Sequence, residues 1–224
     1  MRADLQTPVT SRENRPLRQN AGFGIAYGAL LVLGHTLIHP VIVLALYVSL
    51  ISDSYLLVGL VPALATGVAV LPLLFGAGSR PGRAGGRATG VWAGIIRAAA
   101  IGLLGAAGFA LGDGKPQALL LTFFITYAVY NLASGFANTP MVDITAHFIS
   151  ADRLSRVLGQ RTVWGAVMGV VVGYTIARLL GDGEDAPATM AILFLLAFVA
   201  LSLAAYVAAM VRELHRGDGH VTSL

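Results

Sequence analysis

The chain has no cysteine among its 224 residues. That excludes a disulfide framework, a thiolate metal centre and a cysteine nucleophile. Charge is scarce as well. Asp, Glu, Lys and Arg together make 12% of the sequence, where a soluble domain carries about 25%. Too few charged residues remain to cover a soluble domain of useful size. Lysine is nearly missing, with Lys115 alone against fourteen arginines, a bias that suits a GC-rich bacterial genome.

What the sequence has instead is six long apolar runs, at residues 22–51, 55–77, 90–111, 117–142, 162–180 and 188–211. Each reaches or approaches the ~20 residues a helix needs to cross the hydrocarbon core of a bilayer. The expected fold class is an all-α membrane protein with six transmembrane helices. A polar tail is expected over 1–21, the membrane domain over 22–211 and a second short tail over 212–224. The first run is too long for a signal-peptide core and reads as a retained helix.

The arginines orient these runs. Alternate connecting segments carry Arg2, Arg12, Arg15 and Arg18, then Arg80, Arg83 and Arg87, then Arg153, Arg156 and Arg161, then Arg212 and Arg216. The opposite segments hold Asp53, then Asp113 and Lys115, then Asp182, Glu184 and Asp185. Basic residues concentrate on the cytoplasmic side of membrane proteins, so both termini are expected in the cytoplasm of a bacterium, beneath its inner membrane. The net charge of +4 is thereby explained without nucleic acid, and the bilayer is the expected partner. Trp92 and Trp164 stand at inner helix ends, where aromatic belts form.

Polar groups inside the runs are the available chemistry. His35 and His39 lie four apart near the middle of the first run, with Thr36 between them and Pro40 after them. In an unbroken helix that spacing is one face, and imidazoles at membrane depth should face protein or a wet cavity. They form either a substrate or proton site or a pair of interhelical hydrogen bonds. Zinc is not expected, because the glutamate of a zincin helix is absent and no further ligand cluster is visible. Pro40 removes a donor and should bend the helix. Arg97 either binds an anion or pairs with a carboxylate at depth, or snorkels to the headgroups. Asn131, near Tyr127 and Tyr130, lines a pocket or bonds a neighbouring helix. Asp143 and His147 make a cytoplasmic charge latch or a hydrated helix end. Gly165, Gly169 and Gly173 share a face of the fifth run, as a tight helix crossing requires.

Three segments resemble the amino-terminal six-helix half of a major facilitator superfamily transporter. The run from Gly34 to Leu44, with Leu56 to Ala63, looks like the first two helices of a bacterial branch. Arg80, Pro81, Gly82 and Arg83 look like the core of the signature loop between helices 2 and 3. Ile149 to Arg161 is similar to the link between helices 4 and 5. The resemblance implies inverted three-plus-three helix repeats, and alternating access for a small solute. The polar groups at membrane depth, His35, Thr36, His39, Arg97 and Asn131, are the candidate cavity site for a substrate or proton. The resemblance also implies a cytoplasmic gating loop at Arg80, Gly82, Arg83, Asp143, Arg153, Arg156 and Arg161. The chain departs from the family at Ser79, where the signature loop has an aspartate, and at His39, where a carboxylate usually precedes the proline. Helix 4 lacks the antiporter arginine and helix 5 lacks a Gly-Pro pair.

Six helices make half of the family's usual twelve, so a fragment, a homodimer and a pairing with a separate second half all stay open. Two other classes remain open. A non-transporting assembly or regulatory subunit fits the half length. An intramembrane hydrolase would need a framed serine and a partner histidine; Ser134 beside Gly135 matches weakly, and the last run has no histidine. No catalytic residue, cofactor or metal is expected.

Overall fold

The computed structural model describes residues 14–76, 86–148, 151–181 and 186–210. These form α1 (Asn14–Leu37), a π-turn (Pro40–Leu44), α2 (Ala45–Ile51), α3 (Tyr55–Gly76), α4 (Gly86–Leu111), a 3-10 turn (Gly112–Gly114), α5 (Pro116–Phe148), α6 (Ala151–Gly181) and α7 (Ala186–Met210). The protein is all-α. Five stretches are long and apolar enough to cross a membrane: Gly22–Ile51, Tyr55–Pro72, Ala88–Leu111, Pro116–Ala137 and Thr189–Met210. In α6 the apolar stretch among the described residues is shorter, Ala166–Thr175.

Two boundaries differ from the sequence reading. α1 begins at Asn14, inside the segment expected to be a tail. α6 begins at Ala151, so the expected polar connection over 150–161 is largely helix. The physical reason is the same in both places. Arginine, leucine and glutamine are good helix formers, and polarity alone does not break a helix. α5 runs on to Phe148, well past the end of its apolar stretch, as anticipated from Met141 onward.

The turns follow local chemistry. Ser52 Oγ accepts from the Ser54 amide at 3.2 Å, and the Ser54 carbonyl accepts the Leu57 and Val58 amides to open α3. Gly112 takes φ +35°, a left-handed value that favours glycine, and turns the chain out of α4. Pro116 then starts α5, where its missing N–H is not needed.

α7 and α4 form the spine. α7 packs on α4 and α1, α4 also packs on α5, α5 packs on α3, and α6 lies chiefly along α1. Lipid tails are as apolar as the helices, so association here depends on close van der Waals fit. The α4–α7 crossing supplies it with small residues. A Cβ on Gly94 would meet Ala205, one on Gly102 the Phe198 ring, one on Gly105 Leu195, and one on Gly108 Ala191, all at 3.3 Å or less. Leu44, Tyr47, Ile101, Leu104, Phe123, Phe194 and Leu201 fill the core. Many large apolar side chains point outward instead, Tyr55, Leu56, Val170 and Leu74 most of all. That is the outside of a protein dissolved in hydrocarbon. Threonines in the spans are satisfied by their own helices: Thr36, Thr122 and Thr175 each donate to the carbonyl four residues back, at 2.8–2.9 Å.

Candidate functional site

One buried layer gathers the polar groups. Arg97 is 0% exposed. It lies nine residues after Ala88, ~14 Å along the axis of α4. Its guanidinium is buried inside the bundle. Nε, Nη1 and Nη2 are all buried without a hydrogen-bond partner. Across the α4–α5 contact, Tyr130 lies within electrostatic reach of Arg97, and the Ser134 hydroxyl stands beside the Tyr130 phenol. Both residues are buried. From α1, His35 meets Tyr130 edge-on, with ring centroids 6.2 Å apart at 79°.

An aromatic column leads from this layer towards the start of α5. Tyr130 stacks on Tyr127 (6.1 Å, 8°), Tyr127 on Phe123 (5.5 Å, 20°), and Phe123 meets Tyr47 at 5.7 Å. Tyr47 closes the column against Phe194, at 5.0 Å and 88°. Positions 123, 127 and 130 follow the helical i, i+4, i+7 spacing that puts them on one face. That spacing was legible in the sequence, where only Tyr127 and Tyr130 had been singled out.

The two histidines part company. The α-helical register ends at Leu37. Pro40 has no N–H, and the His39 carbonyl accepts from Val43 at 2.9 Å and Leu44 at 3.1 Å. His35 is half-buried beside Tyr130 and His39 is exposed. At Pro40, where a bend was expected, the α-helical register is interrupted and a π-turn follows. Thr36 bonds its own helix and lies at the α1–α6 crossing, its Cγ2 3.8 Å from where a Cβ on Gly169 would stand. Asn131 is buried, and its side-chain amide donates to the Tyr127 carbonyl at 2.8 Å, within α5. Its described hydrogen bond is neither a pocket contact nor a bridge between helices.

The expected gating residues are placed only in part. Asp143 falls on α5, and Arg153, Arg156 and Arg161 on α6, with side chains outside the described set. Arg80, Gly82 and Arg83 lie outside the described residues. The glycine face of α6 is not a close crossing along its described length: Gly173 has nothing within 4 Å. The tight glycines are those of α4, Gly34 on α1, where a Cβ would stand 2.7 Å from Leu201 Cδ2, and Gly135, where a Cβ would stand 2.6 Å from the Ala69 carbonyl oxygen. In the last turn of α6, Arg178 Nε donates to Tyr174 Oη at 3.0 Å. Trp92 and Trp164 are both exposed. Among the described residues, no three His, Asp or Glu side chains converge as metal ligands would.

Compared with known proteins, the chain matches no family model, no curated protein and no solved structure.

Proposed function

We propose that this chain is a six-helix transport unit of the bacterial inner membrane, half of an alternating-access carrier for a small solute. The packing pattern carries the reading. α1, the π-turn and α2 count as one rod, followed by α3, α4, α5, α6 and α7 as the other five. Exchange the first rod with α5, α3 with α6, and α4 with α7. The contact of the first rod with α7 becomes that of α5 with α4. Its contact with α6 becomes that of α5 with α3, and the α4–α7 contact maps onto itself. Three rods per set is an odd number, so the two sets run in opposite senses through the membrane. That is the inverted-repeat logic of secondary transporters, whose sites lie near midplane between the repeats. The polar layer at Arg97, Tyr130 and His35 sits across that division, on α4, α5 and α1.

A second half has a place to pack. α3 and α6 are exchanged by the same operation, and each carries open glycines: Gly59 and Gly67 on one, Gly159 and Gly173 on the other, with nothing within 4 Å. A second copy or a separate six-helix chain would cover them. Both termini face the cytoplasm in this reading.

The test is flux. The purified chain in vesicles is offered a library of labelled small acids, bases and amphipaths under imposed proton and sodium gradients. Uptake above protein-free vesicles, reduced by His35→Ala or Arg97→Gln, supports a carrier. Vesicles silent towards every solute and gradient would leave the non-transporting membrane subunit as the better reading.

A further inference from the structure

Among the described residues, no acidic side chain meets Arg97, and its three guanidinium nitrogens are buried without a hydrogen-bond partner. The five apolar spans and the apolar stretch of α6 contain neither Asp nor Glu, and Arg97 is the one cation in the five spans. On its own helix direction the next acid is Asp113, sixteen residues on, or ~24 Å. On α5 the acid nearest the layer is Asp143, thirteen residues beyond Tyr130, or ~20 Å. A guanidinium does not shed its proton in proteins and has no acceptor capacity. Sealed in a low-dielectric interior without a partner, it is an expensive group to keep. The neighbours do not compensate it: the phenol of Tyr130 and the hydroxyl of Ser134 are neutral groups that can turn their protons outward.

We propose that Arg97, Tyr130 and Ser134 form a binding site for one carboxylate, the acidic group of a small organic anion. The planar fork of the guanidinium matches a carboxylate with two parallel N–H···O contacts, and the phenol supplies a third donor. Tyr130, Tyr127 and Phe123 stack on one another along α5, so the apolar body of the anion would stand against an aromatic wall. This deepens the transport reading by naming the solute class. Its readout is binding, so the two can fail separately. A carboxylate response without flux removes transport alone, and flux of other solutes without a carboxylate response removes this site alone.

The full chain is purified in a neutral maltoside detergent, and its melting is followed by tryptophan fluorescence in sodium acetate, benzoate, phosphate or chloride at one ionic strength. Acetate and benzoate raise the melting temperature along a saturating curve, and phosphate and chloride do not. Arg97→Gln abolishes the response and melts higher than the native chain when no carboxylate is present, because the unpaired charge is gone. Arg97→Lys raises the half-saturating concentration about tenfold, since an ammonium cannot make the paired contact. If Arg97→Gln does not fold, Tyr130→Phe serves: it keeps the charge and raises the half-saturating concentration about fivefold. Identical melting in all four salts overturns the site, as does an Arg97→Gln variant that responds like the native chain. A response to phosphate or chloride alone overturns the carboxylate assignment. Mixed micelles with phosphatidylglycerol or phosphatidylcholine test a lipid source. A shift with the anionic lipid and none with acetate assigns the cation to a headgroup and overturns the proposal.

Discussion

A Cβ on Gly135 would stand 2.6 Å from the Ala69 carbonyl oxygen and 2.7 Å from Pro72 Cγ. Neither atom can step aside: one is backbone and the other a rigid ring inside a helix. The only relief is to move α3 off α5. Gly102 is different, because its nearest neighbour is the Phe198 ring, which can turn. Gly67, on the open side of α3, has nothing within 4 Å. These environments rank three alanine substitutions. Gly135→Ala should cost about 1–3 kcal/mol, as overpacked cores do, and Gly102→Ala less. Gly67→Ala should be neutral or gain about 0.4–1 kcal/mol by stiffening the unfolded chain. Thermal melts of the detergent-solubilised variants read the order directly. A Gly135→Ala protein as stable as Gly67→Ala would mean that α3 and α5 do not pack this closely.

At the level of helices, the spans were legible and their ends were not. Length and apolarity suffice for Gly22–Ile51 or Thr189–Met210, because a bilayer demands both. Ends depend on capping and propensity, so Asn14–Ala21 and Ala151–Arg161 looked like connections while forming helix. The candidate site was legible as a set of polar residues, but not as a geometry. Which of His35 and His39 faces the interior depends on the break at Pro40, and the placing of Arg97 near Tyr130 depends on how α4 meets α5. Pro40 allows a direct test of that break. The lack of cysteine lets spin labels be placed at will, for example by Gly22→Cys and Ser49→Cys. A straight helix would separate these positions by ~40 Å. The native chain should give a shorter distance by pulsed spin-resonance measurement. Pro40→Ala, which restores an N–H donor, should shift the distribution toward the straight value. No shift would place the cause of the break in tertiary packing instead of proline.

For the whole molecule, the deciding quantity is the side of the membrane on which each connection lies. A positive charge near the end of a short loop biases insertion, and twelve arginines sit on one set of connections and termini against Lys115 on the other. Reversing the orientation would carry all twelve across the bilayer, so a mixed population is not expected. The inverted-repeat reading needs the same result, since it requires an even number of crossings with both ends on one side. Single cysteines replace Asp53, Lys115 or Arg87 in the intact chain, and cells are treated with a membrane-impermeant maleimide. Asp53→Cys and Lys115→Cys should label in intact cells, because both native residues are exposed and the arginine bias assigns their turns to the outer side. Arg87→Cys should label only after permeabilisation. If Asp53→Cys labels while Lys115→Cys stays protected, one of α3 and α4 fails to cross, and the exchange of α3 with α6 loses its basis. If Arg87→Cys labels first, the chain is inserted the other way up, and the layer around Arg97 lies nearer the outside than the cytoplasm.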